Sequence, residues 1–226
     1  MNAKLSTILS VPVIEQRSDA WFKSRLRHVT ASEAASILGV CKYSSPDDTF
    51  FKKFGICKKF TSNVATQWGC AYEDVAIAHY CAAMGMTQNT VGLVSYEDIH
   101  GPDKMNSFLA GSADGIAQYI CDPLADPVML EVKCPYKRKI VPNQIPDHYY
   151  PQVQLNMYIY NLNTADYVEF CPNPFQLNIV RLYPDLAWLS ENIPRLRKFY
   201  DDVQMYKMIG IHKHPLYPKY QKKYIT

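Results

Sequence analysis

The chain has 226 residues, 48% hydrophobic and 20% charged, with a formal net charge of +3. That length fits one domain with a sizeable core, and the composition excludes a disordered or strongly basic tail-like protein. No apolar run is long enough to span a bilayer, no signal-peptide core follows Met1-Asn2-Ala3-Lys4, and the seven scattered cysteines read as free thiols of a reducing compartment, cytoplasmic or nuclear.

The first half reads mainly helical. Thr30-Ala31-Ser32-Glu33 has the form of a capping box, and the helix it opens runs to Leu38 and stops at Gly39. Ser45-Pro46 opens another, with proline at the first helical position, and Gly55 ends it. A longer helix is expected from about Asn63 to Met84, closed by Gly85, with Gly69, Glu73, Ala76, Ile77 and Tyr80 on one face. Strands then take over at Thr90 to Tyr96, Phe108 to Ala113, Ile116 to Ile120 and Val128 to Cys134. A helix from about Asp147 to Tyr160 is followed by strands at Tyr167 to Cys171 and Leu177 to Leu182, and by a last helix from about Pro184 to Met208. The expectation is one domain of α/β or α+β class, a central mixed sheet flanked by helices. Its core spans about residues 15–208, with a basic, irregular tail over 209–226.

The chemistry lies in Gly111-Ser112-Ala113-Asp114-Gly115 and Leu130-Glu131-Val132-Lys133-Cys134-Pro135. Period-two alternation puts Glu131 and Lys133 on one face of a strand and Val132 on the other. If the two segments are neighbours, Asp114 and Glu131 repel unless a cation sits between them. Two carboxylates can hold Mg²⁺, and a lysine can orient or deprotonate an attacking water. A plain ion pair would satisfy Glu131 and Lys133 but leave Asp114 unexplained, and two charges in an apolar strand are costly without partners. Glu73 points to a small, apolar packing face. Gln152 shares a helical face with His148, Tyr149, Asn156 and Ile159, where an amide needs a partner such as a water or a phosphate oxygen. Basic clusters occur at Lys23-Arg25-Arg27, Lys52-Lys53, Lys58-Lys59, Lys137-Arg138-Lys139 and Lys219-Lys222-Lys223. Each reads as a solvated face except 137–139, which directly follows the charged strand.

Six motifs stand in a recognisable order over roughly residues 15–170: Asp19-Ala20-Trp21-Phe22-Lys23-Ser24-Arg25, Val29-Thr30-Ala31-Ser32-Glu33, Trp68-Gly69 with Tyr72-Glu73, the two segments above, and Tyr150-Pro151-Gln152-Val153-Gln154. The chain thereby resembles the lambda-type phage exonucleases, the YqaJ-like viral recombination nucleases of the PD-(D/E)xK superfamily. The resemblance implies a Mg²⁺-dependent nuclease, with Mn²⁺ able to substitute, acting 5′ to 3′ on linear double-stranded DNA. It would release 5′-phosphates and leave 3′ single strands for recombination. It implies Asp114, Glu131 and the Val132 carbonyl as metal ligands, and Lys133 as the residue that positions or activates the water. Glu73 would complete the acidic site, directly or through a second metal, with Gln152 as a nearby active-site amide. Arg25, Ser32 and Ser112 would form the pocket for the 5′-terminal phosphate. That pocket has a physical rationale of its own, since Ser32 lies in the first turn of a capped helix and Arg25 offers a bidentate donor. The resemblance also implies ring-shaped homotrimers, a single-strand annealing protein as partner, and no membrane. Ala113 departs from the family's usual proline, at a position that supplies no ligand.

The main alternative on the same core is a structure-specific or restriction-like endonuclease. An iron–sulfur variant would need more cysteines beyond Cys134 than the one at Cys171. A zinc site at His212-x-His214 lacks a cysteine pair. A non-catalytic module would not need the intact acid, acid and lysine set.

Overall fold

The six residues Val128–Lys133 (β6) form the middle strand of a five-stranded sheet, and their alternation organises the molecule. Val128, Leu130 and Val132 pack with Ala76, Ile77 and Tyr80 of the long helix α5 (Val64–Met84), while Met129 packs with Val153, Leu155 and Met157 of α7 (Tyr150–Tyr160). One sheet face therefore belongs to α5 and the other to α7. Glu131 and Lys133 share the α7 face with Met129, as the period-two reading requires. The computed structural model describes residues 1–14, 18–58, 61–103 and 105–224. Residue 15, where the core was expected to begin, and Lys59 of the basic clusters lie outside them.

The large sheet runs β2 (Met86–Asn89), β5 (Gly115–Tyr119), β6, β7 (Ala165–Pro172), β8 (Phe175–Leu182). Only β6 and β7 are parallel, so the sheet is mixed as expected. A second, three-stranded sheet was not foreseen. Its order is β1 (Val29–Thr30), β4 (Leu109–Gly111), β3 (Val94–Ser95), with β1 and β4 parallel. The chain leaves this small sheet at Gly111 and enters the large one at Gly115, and Asp114 sits in between.

The remaining helices are α1 (Ala3–Ser10), α2 (Asp19–Arg27), α3 (Ala34–Ile37) after a 3₁₀ turn at Ala31–Glu33, α4 (Pro46–Lys52), α6 (Tyr96–His100), α8 (Leu186–Ile209) and α9 (Tyr217–Tyr224). Ser45 caps α4 through Asp48, with Pro46 in the first turn. Gly85 closes α5 in the left-handed conformation, at φ 63°.

Three local expectations are corrected. The strand expected over residues 90–96 is reduced to β3 at Val94–Ser95: Val91 and Leu93 are buried as loop residues, and Ser95 caps α6, its N–H donating to Asp98 at 2.7 Å. Just before it, β2 forms from the polar Thr87-Gln88-Asn89, which carries no apolar signal. The helix after β6 starts at Tyr150 rather than Asp147, with Pro151 in its first turn. The tail is ordered: Ile211–Lys213 makes a 3₁₀ turn and Tyr217–Tyr224 a helix. Pro218 lies in the first turn of α9, where proline is tolerated. Tyr220 stacks on Phe51 with centroids 4.0 Å apart and donates to Asp48 at 3.0 Å.

Two buried ion pairs tie the elements together. Arg181 of β8 grips Asp166 of β7 at 2.8 and 2.9 Å, and the Tyr80 hydroxyl of α5 donates to the same carboxylate at 2.6 Å. Lys53 donates to the carbonyls of Arg25 (2.8 Å) and His28 (2.6 Å) and to Glu33 (2.6 Å), whose carboxylate also accepts from the Thr30 N–H at 3.1 Å. Lys53 therefore departs from the solvated face read for its cluster. Burial would raise the Glu33 carboxyl, but Lys53, Arg25 and Lys52 outweigh it and hold it below the ordinary value. Burial draws Lys53 itself below its usual range. The geometry favours the ionised pair, since all three ammonium hydrogens have oxygen acceptors.

Candidate active site

Antiparallel pairing of β5 with β6 sets Gly115 opposite Leu130, which brings Asp114 to the charged end of β6. The Asp114 N–H donates to the Leu130 carbonyl at 3.1 Å, and the Asp114 carboxylate accepts from the Val132 N–H at 2.7 Å. Those two bonds hold Asp114 against Glu131 and Lys133. Glu131 is fully buried, and its Oε2 accepts from the Asn156 amide at 3.4 Å.

The Lys133 ammonium converges on three oxygens. It is hydrogen-bonded to Glu131 Oε1, donates to the Val132 carbonyl at 3.0 Å, and lies 3.7 Å from Asp114 Oδ2. The ring of Tyr149 lies 5.5 Å from the same nitrogen. Burial is the largest influence on Glu131 and, with Asp114 and Glu73 adding to it, raises its carboxyl above the ordinary value against the pull of Lys133. Burial alone would lower Lys133, but Glu131 and Asp114 together raise it above its ordinary value. The site is thus a knot of negative charge centred on one cation. Two carboxylates and a carbonyl make an all-oxygen donor set, which suits a hard divalent ion such as Mg²⁺ or Mn²⁺. Among the described residues, no three His, Cys, Asp or Glu side chains are grouped to hold a metal. A divalent ion here would be held by the mixed set of Asp114, Glu131 and the Val132 carbonyl.

Glu73 stands on α5 at the boundary of two clefts. One, of about 520 Å³, includes Lys133, Cys134, Tyr136 and Tyr149. The other, of about 480 Å³, includes Asp114, Gln88 and Thr90. Glu73 is half-buried, and its charge acts on both Glu131 and Cys134.

The three residues expected at a terminal phosphate gather around the small sheet. Arg25 donates to the Ser32 hydroxyl at 3.0 Å, with its guanidinium 4.6 Å from the Trp21 ring centre. Parallel pairing of Thr30 with Ala110 places Ser32 and Ser112 each two residues past neighbouring positions. Gln152 is half-buried on α7, and among the described residues no hydrogen bond joins its amide to Asp114 or Glu131. The amide that reaches the acids is that of Asn156, one turn further along the same face. Its role was visible only as a polar residue on the Gln152 stripe. Gly111 matters for the same contact: a Cβ there would sit 2.4 Å from Asn156 Oδ1, so α7 can approach only a glycine. The exposed Tyr43, at the rim of the larger cleft, carried no signal in the sequence.

A mixed sheet flanked by helices, with an acid at the turn into it and acid-x-lysine on its middle strand, is the PD-(D/E)xK fold. The model of the YqaJ-like viral recombinase domain matches residues 20–165, and the chain belongs to that family. It is similar to LHK-Exo, an alkaline exonuclease from Laribacter hongkongensis, with a TM-score of 0.64 and 24% identity over 83% of this chain and 93% of that one. It is also similar to a phage-related exonuclease from Haemophilus somnus, with a TM-score of 0.53 and 18% identity over 82% and 99%. Among viral relatives, a protein of African swine fever virus is 32% identical over 155 residues, 62% of this chain and 45% of that protein. A protein of Acanthamoeba polyphaga mimivirus is 26% identical over 178 residues, 74% and 31%. The chain spans less than half the length of these curated relatives. Among the described residues no helix is long and apolar enough to cross a membrane, and all seven cysteines are free thiols.

Proposed function

We propose that the protein is a Mg²⁺-dependent DNA exonuclease that degrades linear duplex from its 5′ ends and leaves 3′ single strands for recombination. The observation that carries the chemistry is the convergence of Glu131 Oε1, the Val132 carbonyl and Asp114 Oδ2 on one ammonium. These three would hold the ion, with Mn²⁺ able to substitute, and the ion when bound supplies Lewis-acid polarisation of the scissile phosphate. The Lys133 ammonium would be displaced from those oxygens by an ion held there, leaving its Nζ at the edge of the site, where it would orient the attacking water. Glu73 adds negative charge at the junction of the two clefts. Tyr149 and Asn156 hold Lys133 and Glu131 in position, and Gln152 borders the site one turn before Asn156.

Dependence on an end rests on Arg25, Ser32 and Ser112. The Arg25–Ser32 hydrogen bond presents a cation and a hydroxyl together, and the β1–β4 pairing runs the segments that lead to Ser32 and Ser112 side by side as far as Thr30 and Ala110. That set suits a terminal 5′-phosphate. Polarity, the 3′ overhang, a ring-shaped homotrimer and a single-strand annealing partner rest on family membership. LHK-Exo, with the same fold, has a structure in complex with dAMP.

A digestion of linear duplex with 5′-phosphate or 5′-hydroxyl ends, in Mg²⁺ and in chelator, tests the reading. Faster loss of the phosphorylated ends and silence in chelator are expected. Equal rates on the two ends would remove the phosphate pocket, and cutting of closed circles would replace the exonuclease with the endonuclease alternative.

A further inference from the structure

A third cavity, also of about 480 Å³, adjoins the larger cleft and shares Tyr43 and Arg138 with it. The proposed catalysis uses none of its other residues. Tyr43 is 79% exposed, and its ring is held edge-on against His148 at 5.8 Å. An exposed tyrosine braced by a second ring offers a flat face to a ligand. Lys42 and Lys139, both exposed, bring positive charge.

The third component is a buried acceptor. Glu169 lines the cavity at 1% exposure. Its Oε1 accepts from the Tyr167 hydroxyl at 2.9 Å and pairs with Arg138, but its Oε2 has no hydrogen-bond partner. His148 Nε2, also buried, has none either. Leaving a buried carboxylate oxygen unpaired is costly, and a ligand N–H would remove that cost. A flat face, an acceptor for an N–H and two cations for an anion together describe one nucleotide whose base carries an amino group. The volume is that of a small-ligand pocket. A base inside a duplex has both faces covered, and one at its end still has its amino group engaged in pairing, so an unpaired base is the one that presents a free face and a free amino group together.

We propose that this cavity is a subsite for one unpaired nucleotide of the DNA, with its base on Tyr43, its amino group donating to Glu169 and its phosphate between Lys42 and Lys139. The proposal rests on the nuclease reading of the adjoining cleft. It is tested by the anisotropy of labelled single-stranded oligonucleotides of dA, dC or dT, bound in chelator so that nothing is cleaved. The wild-type chain should bind dA and dC more tightly than dT, because thymine has no amino group. Tyr43→Ala should weaken binding of all three by roughly tenfold, the loss of one stacked base, and Tyr43→Phe should restore it. Glu169→Gln should erase the base preference. Because Tyr43 is exposed, its variants test the site even if the Glu169 variant does not fold. Equal affinity of Tyr43→Ala and wild type, or no preference over dT in the wild type, would overturn the subsite. Cleavage of linear duplex with Mg²⁺, run on the same preparations, separates the two ideas. Active wild type with an indifferent Tyr43 leaves the nuclease standing without this subsite, while wild type inactive with every divalent ion overturns both.

Discussion

At the scale of single residues, Lys133 carries the largest expected effect. Lys133→Ala leaves buried Glu131 without its counter-charge, so its fold is checked by urea unfolding, and it should lower kcat on linear duplex by about two to four orders of magnitude. A time course at saturating DNA measures it, and retention of full activity would exclude the lysine from the reaction. Gly111→Ala tests packing instead. The new methyl would meet Asn156 Oδ1 at 2.4 Å and Ile159 at 3.3 Å, both on a buried helix. A loss of about 1–3 kcal/mol in urea unfolding is expected, with part regained when Asn156→Ala is added. Asp114, Glu131 and Lys133 were legible because strand alternation is a strict rule, and a charge on an apolar strand stands out against it. Asn156 and Tyr43 were not, since an amide on a helix or a tyrosine in a loop has many ordinary explanations until its neighbours are known.

At the scale of elements, the Glu33–Lys53 pair decides whether Arg25 and Ser32 stay together. Lys53 holds the end of α2 through two carbonyls and the 3₁₀ turn through Glu33. Glu33→Gln leaves a buried ammonium without its counter-charge and should cost roughly 3–5 kcal/mol in chemical denaturation. The pH dependence has a definite sign. The folded carboxyl lies below its ordinary 4.5, so its contribution is complete above that pH and is lost as pH falls through the lower, folded value. Between pH 5 and pH 3 the wild-type chain should lose more stability than Glu33→Gln; parallel slopes would contradict the assignment. The elements themselves were readable wherever capping and hydrophobic period agreed, as at α4, α5 and β6. They were misread where burial imitated pairing, at 90–93, and where prolines masked the aromatic stripe of Tyr217, Tyr220 and Tyr224.

At the scale of the whole molecule, the acidic knot is a cost to the metal-free fold that a divalent ion would relieve. Any ligand that binds only the folded state raises its stability in proportion to the logarithm of its concentration, by about 2.7 kcal/mol at a hundredfold excess over Kd. The melting temperature should therefore rise with Mg²⁺ in the wild-type chain and stay flat in Asp114→Asn. An equal rise in both would place the ion elsewhere. Two sheets, rather than the one expected, are the main architectural fact hidden from the sequence, because β1 has two residues and the strands read at 90–96 and 108–113 pair only over Val94–Ser95 and Leu109–Gly111, too short to show which sheet they join.

The passage between those sheets acts as a ruler. Ser112 stands at the end of the small sheet with the proposed phosphate pocket, and Asp114 at the start of the large one with the proposed cutting centre. Only Ala113 separates them, so their spacing is about two extended residue steps, roughly 7 Å. The covalent link bounds that distance however the packing breathes, and under the proposed function it would set the length of the excised piece. Insertion of one glycine between Ser112 and Ala113 should leave the Mg²⁺-induced rise in melting temperature intact while abolishing the advantage of a 5′-phosphate or lengthening the products on a sequencing gel. Unchanged products with an unchanged phosphate preference would mean that the gauge lies elsewhere.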